Sequence, residues 1–328
     1  MGTPYLAEDV VCVYRVGLDG RIKEQDFWEA GYRLLKAMGV HPGGRKMVFK
    51  PNVTVPAEPD SGIVTHYRFV EGMLAYLSEV GVSPEDVTIA EGPGGDPEQA
   101  WEESGYRELA GRWGVQLVNL RGDRMVTLPV PGGRVFREIG IASTVVGPGT
   151  FLANVPKMKT HNLAITTLSM KNLMGTVAPH ERNFCGQSWP RTAWDRESLT
   201  PQEHIAWQWG LAERLCDLNS VVRPSLNVVE GVVGRDGTGF HRGRNIPAGL
   251  AIAGRNPVAV DAVASFLMGF APEDIVYLRA ALEWGLGEVR VERLRVFSLE
   301  EGELRPCRDL RKLRLEGRFE VITTMGPV

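Results

Sequence analysis

Four times in this 328-residue chain a short apolar run, of the length of a buried strand, gives way to a polar group. Residues 46–50 lead into Pro51-Asn52, and 87–90 into Glu91-Gly92-Pro93. Residues 151–155 lead into Pro156 and the run KMKTH, and 226–229 into Glu230-Gly231. Helical patterns lie between the runs. Residues 27–38 stop at Gly39, 66–80 carry Phe69, Val70, Met73, Leu74 and Leu77 on one face, and Asp96-Pro97 opens another helix. Such alternation is the signature of a largely parallel sheet. Strands running the same way deliver their trailing segments to one edge, where open α/β sheets bind ligands. The expected fold is α/β, a mixed, mainly parallel sheet flanked by helices. Two lobes are one arrangement it admits, 1–150 and 151–328, the second carrying the KMKTH and Lys171-Asn172 segments and a lid-like loop over 176–202.

The third group is the richest. Residues 151–155 read as a strand ended by Pro156, and 163–174 as a short helix stopped by Gly175. Lys157, Lys159, Thr160 and His161 would then sit in a loop at a strand end, with the helix adding its N-terminal amides to anion binding. Lysine usage sharpens the point. Only eight of the 37 Lys and Arg residues are lysine, and Lys157, Lys159 and Lys171 fall within fifteen residues of one another. An ammonium group can lose its proton and meet a small anion closely, which a guanidinium does not do.

Elsewhere the pattern is less regular. Residues 125–135 read as a hairpin, and 235–245 as a glycine-rich loop. The box Thr200-Pro201-Gln202-Glu203 opens a helix over 202–218, Asn256-Pro257 opens one reaching Met268, and Pro272 starts another. Several polar residues admit two readings. His66 is either part of a site or follows Thr65 as helix cap. Asn52 orients a ligand or satisfies loop backbone. Glu91 and Glu230 are metal ligands or bases, or pair with cations. Asp261, inside an apolar helix, needs a partner of the type of Lys171 or Lys157.

The net charge of −3 argues against general nucleic-acid binding, and no apolar run reaches the roughly eighteen residues of a membrane span. The N-terminus shows no signal-peptide pattern. Four scattered cysteines without a CxxC suggest a reducing, cytoplasmic setting and supply no iron–sulfur motif. No P-loop, GxSxG or dinucleotide fingerprint is present.

Residues 50–52 (KPN), 156–161 (PKMKTH), the T-x-S-x-K-N-x-x-G run at 167–175 and NPVAVDAVASFLMG at 256–269 resemble the domain-of-unknown-function family 362. The resemblance runs from about residue 45 to 290. Glu230-Gly231 with Gly237 and Gly239 resembles its glycine-rich segment, although many members carry Asp at the position of Glu230. The resemblance implies an α/β unit often accompanied by a ferredoxin-like module, whose cysteines this chain lacks.

The expected function is an enzyme acting on a small anionic metabolite, a carboxylate or phosphate, by proton transfer of isomerase or lyase type. His161, Lys171 and Lys159 are the expected catalytic residues. Lys50, Asn52, Thr65, His66, Lys157, Thr160, Asn172, Glu91 and Glu230 are the expected substrate contacts. The cofactor is unassigned, and a homo-oligomer is left open. Two alternatives stand beside this reading. One is a metal-dependent oxidoreductase or hydrolase using a divalent metal on His66, His161 and Glu91. The other is a non-catalytic binding or assembly protein.

Overall fold

The computed structural model describes residues 3–17, 21–190, 199–239, 242–315, 317, 319–323 and 326–327. In chain order the strands are β1 (Val10–Arg15), β2 (Lys46–Pro51), β3 (Val87–Glu91), β4 (Gln116–Asn119), β5 (Met125–Pro129), β6 (Glu138–Ala142) and β7 (Thr150–Val155). They continue with β8 (Lys157–His161), β9 (Ile165–Thr167), β10 (Leu226–Arg235), β11 (Asn245–Ile246), β12 (Leu250–Gly254), β13 (Arg295–Glu300) and β14 (Glu303–Pro306). The helices are α1 (Glu24–Met38), α2 (Tyr67–Glu79), α3 (Pro97–Glu103), α4 (Tyr106–Trp113) and α5 (Ser143–Val146). After them come α6 (Ser169–Asn172), α7 (Phe184–Gln187), α8 (Pro201–Val221), α9 (Pro257–Leu267) and α10 (Val276–Glu283).

One sheet runs through both halves of the chain in the order β14-β13-β1-β12-β10-β7-β2-β3-β4. The stretch β10-β7-β2-β3-β4 is parallel throughout, whereas β12 runs against both β10 and β1. The expected mixed α/β sheet is what forms. Side-chain alternation assigns its faces. Met47, Phe49, Phe151, Ala153, Ala251 and Ala253 point into one core, which α1, α2 and α4 cover. Val48, Leu152, Leu250 and Ile252 point into the other, under α8, α9 and α10. Strands buried on both faces read as continuous apolar runs, which explains the sequence pattern.

Several elements differ from expectation. The KMKTH run is a strand, β8, rather than a loop. Pro156 ends the pairing of β7 with β2, and the chain re-pairs at once with the outer half of β10. Glu230 is accordingly mid-strand, not at a strand end. The helix expected over 163–174 is reduced to the single turn α6, preceded by β9. Thr166 and Thr167 are β-branched and favour extended backbone, and Ile165 before them stands at φ 67°, outside the helical region. Met125 to Pro129 does pair antiparallel, but with Glu138–Ala142, farther along than the expected turn. Within 176–202 lie the short α7 and the cap of α8; residues 191–198, including Trp194, lie outside the described residues. His241 of the glycine-rich loop also lies outside them.

Helices α1 and α2 approach so closely that two glycines are required. A Cβ on Gly31 would lie 2.1 Å from the Phe69 carbonyl oxygen, and one on Gly72 would lie 2.0 Å from that of Trp28. In an exposed helix Gly→Ala gains up to about 1 kcal/mol. Here the backbone collision outweighs that gain, since overpacking costs roughly 1–3 kcal/mol. Gly72→Ala is therefore expected to lower stability by about 1–2 kcal/mol net in urea unfolding; a variant as stable as the parent would show that the helices separate freely.

Candidate active site

The polar residues gather where β2, β3, β8 and α6 meet. Alternation along β8 sets their layout. Lys157, Lys159 and His161 share one side of the strand, Met158 and Thr160 the other. Thr160 Oγ1 donates to the Gly237 carbonyl at 2.9 Å and so holds the glycine-rich loop.

Two lysines are buried with carboxylates. Lys50 Nζ lies 2.9 Å from both oxygens of Glu91, and both side chains are almost fully enclosed. Lys157 Nζ lies 2.5 Å from Glu230 Oε2, with both side chains at 0% exposure. The backbone supports each carboxylate. Glu91 accepts from the amides of Gly92 at 2.7 Å and Val53 at 3.2 Å. Glu230 accepts from Val232 at 3.0 Å and His66 at 3.2 Å. Burial pulls both ammonium groups toward neutrality and the facing carboxylate opposes it. Gly175 makes room for the first pair, because a Cβ there would stand 2.3 Å from Glu91 Oε1 and 3.0 Å from Lys50 Nζ.

Lys159 is different. It is 3% exposed, yet among the described residues its Nζ meets only two uncharged oxygens, Asn52 Oδ1 and the Ile63 carbonyl, each at 2.7 Å. Burial, then the neighbouring charges of Lys171 and Lys157, push its pKa down to about 7. Lys159 lines a cleft of about 110 Å³ together with His161, Thr167, Lys171, Asn172 and Glu91. Asn52, Thr54, Gly92, Met174 and Gly175 complete the lining. His161 Nδ1 accepts from the amides of Leu163 at 3.1 Å and Ala164 at 3.2 Å, which leaves the ring hydrogen on Nε2. Lys171 is half-buried and forms no ion pair among the described residues. Ile165, which opens β9 opposite His161, stands at φ 67°, a conformation costly for a β-branched residue.

A chain of buried amides holds the floor of the cleft. Asn172 donates to the Lys50 carbonyl at 3.2 Å and to Asn154 Oδ1 at 2.8 Å. Asn154 donates to Asn227 Oδ1 at 2.8 Å, and Asn227 to the Arg255 carbonyl at 2.7 Å. Asn172 Oδ1 in turn accepts from Asn52 Nδ2 at 3.0 Å. Lys50, Asn154 and Asn227 are register neighbours across β2, β7 and β10, so the sheet itself spaces them.

Two expectations are corrected by these contacts. Asp261 pairs with no lysine: its carboxylate accepts from the amides of Ser169 at 2.7 Å and Met170 at 2.9 Å. It thus occupies the N-terminal amides of α6 expected to bind an anion, and burial raises its pKa to about 7. His66, not Thr65, caps α2, its Nδ1 accepting from the Arg68 amide at 3.1 Å. Thr65 Oγ1 donates to the Val155 carbonyl at 2.8 Å and ties α2 to β7.

His66 stacks on Phe27 at 3.9 Å, away from the cleft lining, and burial with Lys157 and Arg68 nearby lowers its pKa to about 3. His66, His161 and Glu91 therefore do not converge, and among the described residues no three His, Cys, Asp or Glu side chains form a group suited to a metal. Thr65, Lys157, Thr160 and Glu230 likewise stand outside the lining.

Residues not anticipated from the sequence include Asn154, Asn227 and Arg182. The asparagines are signalled by an amide inside otherwise apolar strands, which must find a partner. Arg182 donates to the Gly92 carbonyl at 2.8 Å and stands beside Glu91; nothing local in its sequence marks it.

The titration of Lys159 has a defined sign. Its folded pKa lies below its unfolded value, so its burial penalty is fully present below about pH 7 and fades as pH rises toward the unfolded value of 10.5. Relative to Lys159→Met, the parent should gain about 2–3 kcal/mol between about pH 7 and pH 9 in urea unfolding. A difference independent of pH would mean that Lys159 stays protonated. For Lys157→Met, which strands a buried Glu230, the expected loss is about 3–5 kcal/mol. The double variant Lys157→Met/Glu230→Leu should recover much of that loss, and failure to recover would show that the pair stabilises the fold outright.

Several known proteins are similar to this chain. A thylakoid-associated protein of Synechocystis sp. is 23% identical over 254 residues, covering 77% of this chain and 72% of that protein. A crystal structure of a Thermotoga maritima protein superposes with a TM-score of 0.43 at 12% identity over 70% of this chain. Lactate racemase apoprotein from Thermoanaerobacterium thermosaccharolyticum gives 0.41 at 12% identity over 78%. The chain spans 55% and 57% of the lengths of those two structures. No helix among the described residues is long and apolar enough to cross a membrane. The family model described as a domain of unknown function, DUF362, matches residues 47–266, more than half of the sequence, and the chain belongs to that family.

Proposed function

We infer that the chain is an enzyme that moves a proton on a small carboxylate or phosphate, chemistry of the isomerase or lyase type. One observation carries the reading. Lys159 is buried without a carboxylate, in a cleft shared with Lys171 and with a histidine that carries its ring hydrogen on Nε2. Lys171 has no ion-pair partner among the described residues, and Glu91, the acidic residue of that lining, is already matched by Lys50. The cleft therefore carries uncompensated positive charge, which suits an anion.

The roles divide by environment. Lys171 holds the anionic group. Lys159, neutral above about pH 7, is a base at working pH. His161, a donor at Nε2, returns a proton. Asn52 and Asn172 fix the base and the floor beneath it. Lys50 and Lys157, matched by Glu91 and Glu230, act by positioning and by their field rather than by contact with substrate. The cofactor is unassigned in this reading.

The test is solvent exchange. With a panel of small hydroxy acids, oxo acids and phosphorylated acids in D2O, one class should lose its activated C–H signal in NMR when the chain is added. Lys171→Ala should slow that loss by at least about 10²-fold, while stability stays within about 0.5 kcal/mol of the parent. Unchanged exchange, or a collapse of the melting temperature, would count against Lys171 as the anion-holding group.

A further inference from the structure

We propose that Lys159 is also a nucleophile, which condenses with the carbonyl carbon of a small 2-oxo acid to form an imine. The inference rests on the proton-transfer reading of the cleft and narrows its substrate class.

Hydrogen-bond inventory decides the state of the amine. An ammonium has three hydrogens to place, and a neutral amine has two together with a lone pair. Lys159 Nζ finds two acceptors, Asn52 Oδ1 and the Ile63 carbonyl, each at 2.7 Å. The first cannot be exchanged for a donor by turning the amide. Asn52 Nδ2 is committed to Thr54 Oγ1 at 2.9 Å and Asn172 Oδ1 at 3.0 Å. Asn172 is fixed in turn, because its own Nδ2 donates to Lys50 and Asn154. The network therefore presents two acceptors, and no third protein acceptor for Nζ is present among the described residues. A buried ammonium left with an unplaced hydrogen is costly, so the arrangement suits the neutral amine. Of the four directions about Nζ, Cε takes one and the two acceptors take two more. The last is left to the lone pair, in a side chain that lines the cleft.

A neutral amine with a free lone pair is both base and nucleophile, and a desolvated lysine next to other cations is a recognised way to obtain one. The step balances without an oxidant or reductant. Nζ attacks the carbonyl carbon and forms an N–C bond, and the carbonyl oxygen takes a proton, giving a carbinolamine. The C–O bond then breaks. Water leaves with the former carbonyl oxygen and, in net terms, the two hydrogens of the amine. His161, which lines the same cleft, supplies the proton that the departing oxygen needs. Lys171 holds the carboxylate of the 2-oxo acid. Once protonated, the imine draws electrons from the neighbouring carbon and eases removal of a proton or cleavage of a bond there.

The experiment is trapping. The full chain is incubated with pyruvate or glyoxylate at about pH 8 and reduced with sodium borohydride, then read by intact mass and peptide mapping. One reduced adduct per chain on Lys159 is expected, lost in Lys159→Met and Lys159→Arg and diminished in Lys171→Ala. Absence of any adduct with both acids, or labelling confined to exposed lysines such as Lys36 and unchanged in Lys159→Met, would overturn the proposal. The pyruvate sample in D2O without borohydride, whose methyl hydrogens can exchange, separates the two readings. Exchange of pyruvate without trapping overturns the imine and keeps the proton-transfer role, whereas no trapping together with no exchange of any acid in the panel removes both.

Discussion

A lysine taken out of water must be matched by a carboxylate or relieved of its proton, and this constraint organises the centre of the molecule. Lys50 and Lys157 take the first course, whereas Lys159 has no carboxylate and its pKa is pushed down to about 7. The three sit within a few strands of one another, so each solution depends on the others. Glu91 absorbs the charge of Lys50 and lines the same cleft as Lys159. Glu230 absorbs that of Lys157, whose residual field helps to lower the pKa of Lys159. A sheet of purely apolar strands would need none of these pairings.

Groups that do not line the cleft also hold it in place. Asp261 commits its carboxylate to two amides of α6, and so anchors the single turn that presents Lys171 and Asn172. An isolated turn of four residues has no stability of its own. The buried acid and the amide chain through Asn154 and Asn227 supply what helix length does not.

Much of this is legible in the sequence. The β-loop-α alternation points to the sheet, and the clustering of scarce lysines points to the segment that carries the cleft. The departures have physical causes. Pro156 reads as a strand stop and sends KMKTH to a loop, yet its alternating Lys, Lys, His pattern has the period of a strand with one polar face. Over 163–174, alanine and leucine suggest a helix longer than three β-branched residues in a row allow. Which lysine meets which carboxylate is not legible at all. Lys50 and Glu91 lie on neighbouring strands 41 residues apart, and Lys157 and Glu230 are separated by 73. Such pairings are products of topology rather than of local pattern.

The kink at Pro156 has a consequence of its own. Strand β10 serves two successive neighbours, pairing with β7 at Leu226 and Asn227 and with β8 from Glu230 onward. The single residue between β7 and β8 thus acts as a phase setting between two halves of a ladder. Lengthening it by one would turn β8 over, exporting Lys157, Lys159 and His161 to the face now held by Met158 and Thr160. Substitution at this joint alters one contact, but a change of length there inverts the polarity of the whole strand. The segment should therefore tolerate changes of residue far better than changes in their number.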